Sequence, residues 1–140
     1  MRVCGVELKG NDAIICILDM SDGLCDIPDC RVRLLTLSDV TSGPELVDFL
    51  FAFTKLMEDY KVDKVVVRER HTKGKFAGSA ASFKMEAAMQ LAEDLEVEIM
   101  SAAEIKESLS HNALTIPFAS TGLKVFQELA FTTAFANLVR

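Results

Sequence analysis

The first forty residues alternate between short apolar runs and polar turns, a pattern typical of β-strands. Residues 2–9 alternate weakly and end at a Gly-Asn turn, and residues 13–18 form a continuous apolar run. Residues 19–29 are rich in Asp, Gly, Ser and Pro and predict a loop, whereas residues 31–37 alternate again. The pattern therefore predicts three successive strands joined as an antiparallel meander.

Beyond residue 41 the apolar spacing changes to helical intervals, interrupted by two further strand-like runs. The first predicted helix opens at Ser42-Gly43-Pro44-Glu45, where an early proline and an acid in the first turn are typical of a helix start. The predicted helices cover residues 42–60, 79–93, a segment opening at the capping-box pattern Ser101-Ala102-Ala103-Glu104, and 121–138; the predicted strands cover 62–69 and 96–100.

This order of elements predicts an α/β fold in a single domain spanning residues 1–140. Three antiparallel strands followed by two parallel strands form a five-stranded mixed sheet flanked by helices. The chain has 140 residues, of which 50% are apolar, and this is enough for one buried core. No apolar run approaches the ~20 residues of a membrane span, and the start of the chain lacks a signal-peptide pattern. We therefore expect a cytoplasmic protein.

Charge and cysteine content narrow the function classes. The four cysteines form no Cys-x-x-Cys pair and only two histidines are present, which argues against a zinc site. The net charge of −6 argues against a protein that coats nucleic acid nonspecifically. Residues 61–75, however, carry six lysines or arginines against Asp63 and Glu69, a local net charge of +4. Two interpretations stay open: a solvated loop, or a surface that binds an anion or a phosphate backbone.

Two glutamates stand at the ends of apolar strands. Glu7 closes the run Val3-Cys4-Gly5-Val6, and Glu69 closes Val65-Val66-Val67-Arg68 directly before the basic loop. A lone carboxylate in such a run is costly to bury unless it is paired, hydrogen-bonded or bound to a cation. The two glutamates therefore indicate a site, and we expect their carboxylates on the same side of the sheet.

These segments and their order resemble the ribonuclease H-like superfamily, and most closely its RuvC-type resolvase branch. Val3-Cys4-Gly5-Val6-Glu7 is similar to the first strand of that superfamily, and Val65 to Glu69 is similar to its fourth strand, which ends in a catalytic glutamate. Gln127-Glu128-Leu129-Ala130-Phe131 loosely resembles the helix that carries its last acid. The whole chain also looks like a small, uncharacterised bacterial family of this fold.

The resemblance implies a metal-dependent nuclease or resolvase-like phosphodiester hydrolase acting on structured DNA or RNA. Glu7, Glu69 and Glu128 would be the catalytic residues and would hold Mg²⁺ or Mn²⁺, whose ions activate water and stabilise the leaving oxygen. The basic segment would supply the nucleic-acid-binding residues, namely Arg68, Arg70, Lys73 and Lys75.

An alternative function is a noncatalytic binding or assembly module of the same fold with a degenerate acidic site. The superfamily carries aspartate on its first strand where this chain has Glu7, and the extra methylene is large against the ~0.5 Å tolerance of a catalytic centre. The acidic balance and the lack of a stacking aromatic beside the basic loop also favour this alternative. Each acid further has a structural interpretation as an ion-pair partner: Glu7 with Lys9, Lys64 or Arg68; Glu69 with Arg68 or Arg70; Glu128 with Lys124.

The last predicted helix is apolar almost all round. Phe126, Phe131 and Phe135 point in different directions on it, so we expect a homodimer in which this helix or the first helix contributes the interface. RuvC-type resolvases, which the chain resembles, also act as dimers. The competing interpretation is that the loop around Pro117-Phe118 covers the helix within one chain.

Overall fold

A mixed β-sheet forms the centre of the protein, whose 140 residues are all described by a computed structural model. Its strand order is β3-β2-β1-β5-β6, with β4 pairing β2 beside β3. β1 runs antiparallel to β2, whereas β1, β5 and β6 are parallel neighbours. The mixed α/β architecture predicted from the sequence is therefore confirmed. The strands are β1 (Arg2–Lys9), β2 (Asp12–Ser21), β3 (Leu24–Asp26), β4 (Leu34–Thr36), β5 (Lys64–Arg68) and β6 (Val97–Met100).

The predicted third strand is confirmed only as the short strand β4, and a further strand, β3, lies in the predicted loop, so the sheet has six strands rather than five. β2 continues to Ser21 and turns at Asp22-Gly23, both with positive φ (52° and 77°), so that β3 pairs back onto it. Two residues with φ > 0 match the twist of a tight hairpin. The predicted loop thus contains a hairpin. The chain leaves the sheet between β3 and β4 and returns for only three residues at β4, which pairs the start of β2.

Four helices cover the two faces of the sheet. α1 and α2 pack on one face and α3 and α4 on the other, and each face has its own apolar cluster. Ser42, Ser79 and Ser101 cap the first three helices with their hydroxyls, and the capping box predicted at Ser101 and Glu104 is confirmed. The helices are α1 (Gly43–Asp59), α2 (Ala80–Leu91), α3 (Ala102–His111) and α4 (Glu128–Val139). No helix combines the length and the apolar character needed to span a bilayer.

The last helix begins seven residues later than the sequence predicts. Gly122 has a positive φ of 78° and Lys124 is extended, so two short 3₁₀ turns precede α4 instead of continuous helix. Phe131 and Phe135 are buried, and Phe118 packs on Phe131 with ring centroids 5.7 Å apart. The segment around Phe118 therefore does lie over this helix, as the competing interpretation expected.

A glycine brings α4 into backbone contact with β1. A Cβ at Gly5 would lie 2.1 Å from the carbonyl oxygen of Ala130 and 2.9 Å from the Cβ of Ala134. Only glycine permits this approach of helix to strand. It fixes the face of β1 that carries Gly5, and two residues later Glu7, against the first turns of α4.

Candidate functional site

A cleft of about 530 Å³ opens where the parallel strands β1 and β5 end. Ends of parallel strands in an α/β sheet are common ligand sites because the loops that follow them diverge there. We call this feature the β1–β5 cleft. Its walls combine the end of β1, the end of β5 and the loop that leads to α2. The lining residues with ionisable side chains are Glu7, Lys9, Arg68, Glu69, Arg70 and His71.

Glu7 lies beside Arg68, on the same face of the sheet. Val6 pairs with Val67 in the parallel β1–β5 register, so Glu7 and Arg68 are the next residues along the two strands. Successive side chains alternate between faces, and this pair lies on the face that α4 covers. Consistent with that placement, Arg68 Nη1 donates a hydrogen bond to Thr133 Oγ1 in α4 at 3.4 Å.

The two charges influence each other through space. Burial raises the pKa of the Glu7 carboxyl, while Lys9 and then Arg68 oppose that rise. Burial lowers the pKa of Arg68, and Glu7 opposes that change. No direct ion pair joins the two side chains. They form a partly buried opposite-charge pair with space left for a polar group of a ligand.

Glu69 is the residue after β5 ends, one position beyond Arg68. Its backbone N–H donates to the carbonyl of Met100 at 2.9 Å, and its side chain is exposed. Because side chains alternate along a strand, Glu69 shares a face of the sheet with Val67, which packs in the cluster beneath α1 and α2. Glu69 borders the same cleft as Glu7. The register, however, places Arg68 rather than Glu69 beside Glu7, which differs from the same-side arrangement expected from the sequence.

Glu128 is not brought to the other two acids. It is exposed at the first position of α4, and the cleft is lined at this point by Leu129 instead. Nowhere in the chain do three His, Cys, Asp or Glu side chains converge as a metal-binding group. A two-ion hydrolytic centre needs several carboxylates around one point. The acids gathered here do not fit the metal centre that the ribonuclease H-like resemblance implies.

Arg70 is committed to contacts within the protein. Its guanidinium donates to Ser82 Oγ, to the carbonyl of Arg68 and to Glu86 Oε1, at 3.0–3.1 Å in each case. It also lies 4.6 Å from the centre of the Phe83 ring. The Arg70 and Glu86 side chains are 10% and 18% exposed. This predicted nucleic-acid contact therefore has its donors occupied by α2, and anchors the loop that carries Lys73 and Lys75.

The loop between β5 and α2 presents the other predicted basic residues to solvent. Lys73 and Lys75 are exposed, and Phe76, which lines the cleft, is 79% exposed. Lys75 Nζ lies 5.8 Å from the centre of the Phe76 ring. Sequence reasoning missed Phe76 as a stacking residue, although its position directly after Lys75 was a signal. We call Lys73, Lys75 and Phe76 the loop triad.

The ends of this loop are fixed, while its tip is free of packing. The Gly78 N–H donates to the His71 carbonyl at 2.8 Å, and Ser79 Oγ donates to the Gly10 carbonyl at 2.6 Å. Between these anchors, Gly74 adopts a φ of 95° and a Cβ there would meet no atom within 4 Å. The hydrogen bonds at the two ends of the loop therefore hold the loop triad beside the cleft.

Comparison with solved structures confirms the ribonuclease H-like architecture. RuvC of Thermus thermophilus superposes with a TM-score of 0.70 at 12% sequence identity, covering 99% of this chain and 94% of that one. The same protein in complex with Holliday junction substrate gives a TM-score of 0.70 at 13% identity, with the same coverage. The fowlpox virus Holliday junction resolvase gives 0.46 at 11% identity, covering 97% of this chain and 93% of that one. At these identities the similarity to Thermus thermophilus RuvC concerns the fold.

No curated protein matches the chain by sequence. A family model does match, over residues 1–137, which is nearly the whole length. Its description is "Protein of unknown function (DUF3010)", and the chain belongs to this family.

Proposed function

We propose that the protein binds structured nucleic acid at the β1–β5 cleft and holds it without hydrolysing it. The observation that carries this proposal is the loop triad, in which two exposed lysines precede an exposed phenylalanine that lines the cleft. Lysine ammonium groups contact phosphates, and an exposed aromatic ring stacks on an unpaired base for about 1–3 kcal/mol per base.

The composition of the cleft matches that ligand. Lys9 and Arg68 add two cations inside the cleft, beyond the loop triad. Unpaired bases occur at junctions, bulges and loops, where a ring such as Phe76 can reach them. Thermus thermophilus RuvC, whose fold is similar, has been solved in complex with Holliday junction substrate. This similarity supports branched DNA as the first ligand to test.

Hydrolysis is the second candidate function, and the shared cleft of Glu7 and Glu69 favours it. Against it, Glu128 lies outside the cleft and Arg68 takes the position beside Glu7 on the neighbouring strand. Metal-assisted phosphodiester hydrolysis needs carboxylates where the guanidinium now stands. Binding without cleavage therefore agrees better with the arrangement of charges.

We further propose that the protein forms a homodimer through α1 and α2. Val47, Phe51 and Leu91 are 67%, 70% and 80% exposed along these two helices, and border adjoining hollows. Lys84 lies at one end of this apolar face, and Glu93 and Asp94 lie at the other. A two-fold axis across the face would bring opposite charges together. α4, the other candidate surface, has most of its residues buried.

A binding titration with a cleavage readout tests the main proposal. Fluorescence anisotropy should show a labelled four-way junction binding equally well in EDTA and in Mg²⁺, and a denaturing gel of the same samples should show intact strands. Replacing Lys73 and Lys75 by alanine should reduce the slope of log K against log salt by about 1.4 to 1.8, since each lost phosphate contact contributes about 0.7–0.9. Lys106→Ala with Lys124→Ala, two exposed lysines outside the cleft, should leave the slope unchanged.

Metal-dependent strand cleavage that is lost in Glu7→Gln would reject binding without hydrolysis and establish the second candidate. Affinity for the junction that is unaffected by the double lysine variant would reject the loop triad as the contact surface.

A further inference from the structure

We propose that the Arg68 guanidinium is the permanent cation of the β1–β5 cleft and excludes a divalent metal ion from Glu7. The proposal rests on the proposed function only for the identity of the ligand, because the charge arrangement stands without it. Its basis is the strand register. The residue beside Glu7 on β5 is Arg68, and the nearest acid, Glu69, is one position further along and therefore on the other face of the sheet.

The position of Arg68 is held by α4. Arg68 Nη1 donates to Thr133 Oγ1 at 3.4 Å, and that hydroxyl donates to the Leu129 carbonyl at 2.6 Å. The Arg68 carbonyl also accepts a hydrogen bond from Arg70, whose side chain is anchored to α2. Moving the guanidinium out of the cleft breaks its hydrogen bond to α4, and the backbone from which the side chain extends is tied to α2 through Arg70.

A metal ion bound at Glu7 would meet this fixed positive charge. Two carboxylates on one face of adjacent strands repel each other, and a divalent cation between them relieves the repulsion. Here the second group is positive, so Glu7 already has an opposite charge nearby and a divalent ion would be repelled by Arg68. The guanidinium thereby supplies the attraction for an anion that a metal supplies elsewhere.

The ligand that fits this charge is a phosphodiester oxygen pair. A guanidinium presents paired N–H donors that match two phosphate oxygens, and it stays protonated throughout the physiological pH range. No direct ion pair with Glu7 occupies those donors. Binding of phosphate in the cleft should therefore be independent of metal concentration.

Isothermal titration calorimetry with MnCl₂ and no nucleic acid tests the exclusion. The wild type should show no saturable binding up to about 1 mM, the range of weak protein sites for divalent cations. R68E places a carboxylate beside Glu7 and should bind Mn²⁺ at least about tenfold more tightly than the wild type. R68E combined with Glu7→Gln should lose that gain, which assigns the ion to the pair.

Circular dichroism must first show that R68E is folded. A folded R68E that binds Mn²⁺ no better than the wild type overturns the proposal, as does wild-type binding that Glu7→Gln abolishes. Should R68E fail to fold, Arg68→Gln decides in its place: Mn²⁺ affinity at least about fivefold above that of the wild type and dependent on Glu7 supports exclusion by the guanidinium charge, and unchanged affinity rejects it.

These metal titrations separate this proposal from the proposed function. If the Mn²⁺ results are as expected but the four-way junction does not bind in EDTA, the nucleic-acid ligand is rejected and the role of Arg68 stands. If the junction binds and the Mn²⁺ results fail, only the exclusion of metal by Arg68 is rejected.

Discussion

Glu7 and Arg68 lie next to each other on the parallel strands β1 and β5, on the face of the sheet that α4 covers. A carboxylate and a guanidinium thus share the position where the ribonuclease H-like resemblance implies two carboxylates. Opposite charges on neighbouring strand positions attract each other without a metal ion. The protein thus combines a fold similar to that of RuvC with an opposite-charge pair at the ends of β1 and β5, and we propose that this pair serves to bind an anion.

Arg70 is expected to contribute to stability rather than to direct ligand contact. Arg70→Ala removes three hydrogen bonds and leaves Glu86, only 18% exposed, without its partner. Loss of one member of a largely buried pair should lower the free energy of unfolding by about 2–4 kcal/mol. Urea denaturation measures this loss. Lys55→Ala breaks the exposed pair with Asp59 and is the matched control, expected to change stability little.

An equal and small effect of Arg70→Ala and Lys55→Ala would contradict a structural role for Arg70. The guanidinium would then be available to a ligand, as the sequence alone suggests.

Gly5 should tolerate no side chain. A Cβ at this position would lie 2.1 Å from the backbone oxygen of Ala130, and backbone cannot move aside as a flexible side chain can. Gly5→Ala should therefore displace α4 from β1 and lower the free energy of unfolding by at least about 3 kcal/mol, or prevent folding. Thermal denaturation followed by circular dichroism measures the change. A melting curve equal to that of the wild type would contradict this close packing of α4 on β1.

The raised pKa of Glu7 predicts a specific pH dependence of stability. Because burial raises the pKa of this carboxyl above its usual 4.5, the folded protein holds the proton to higher pH than the unfolded chain does. Stability from this group is therefore fully present below the unfolded pKa and is lost as pH rises through the folded pKa. Glu7→Gln removes this contribution.

Urea denaturation of both proteins from pH 4 to pH 7 provides the measurement. The stability of the wild type relative to Glu7→Gln should fall as pH rises from about 4.5. A relative stability that rises over this range would mean that Arg68 and Lys9 outweigh burial, and that the folded pKa of Glu7 is lowered.

The exposed apolar face of α1 and α2 should govern assembly. Light scattering at micromolar concentration should give about twice the chain mass of 15.4 kDa for the wild type. Phe51→Glu places a charge on this apolar face and should give the mass of a single chain. Leu24→Glu changes a residue that is 76% exposed on β3, away from this face, and should leave the dimer intact. A single-chain mass for the wild type would reject the dimer.

The sequence predicts the fold well because the spacing of its hydrophobic residues carries most of the information about where helices and strands lie. Alternation over residues 2–9 and helical spacing after Ser42 correctly indicate β1 and α1, and the capping box at Ser101 correctly indicates the start of α3. The differences between the predicted and observed elements arise from backbone conformations that the spacing of hydrophobic residues does not reveal. Positive φ at Gly23 creates an additional hairpin, and positive φ at Gly122 delays the last helix.

The site was harder to predict because it depends on single-residue phase. A shift of one position moves a side chain to the other face of a sheet, and a run such as Arg68-Glu69-Arg70 offers several charged residues to choose among. Only the pairing of Val6 with Val67 identifies Arg68 as the neighbour of Glu7. The contacts of Arg70 with α2 depend on residues twelve and sixteen positions away, which local sequence patterns do not reveal.

An NMR titration of the isotopically labelled protein with a four-way DNA junction in EDTA tests the central claim most directly. Amide signals of residues that line the β1–β5 cleft, among them Leu8, Gly10, His71 and Gly78, should shift during the titration, while those of Val47 and Phe51 on α1 should not. This result would place the nucleic acid in the cleft without metal. Signals that stay unchanged until Mg²⁺ is added, or that shift only outside the cleft, would contradict metal-independent binding at Arg68.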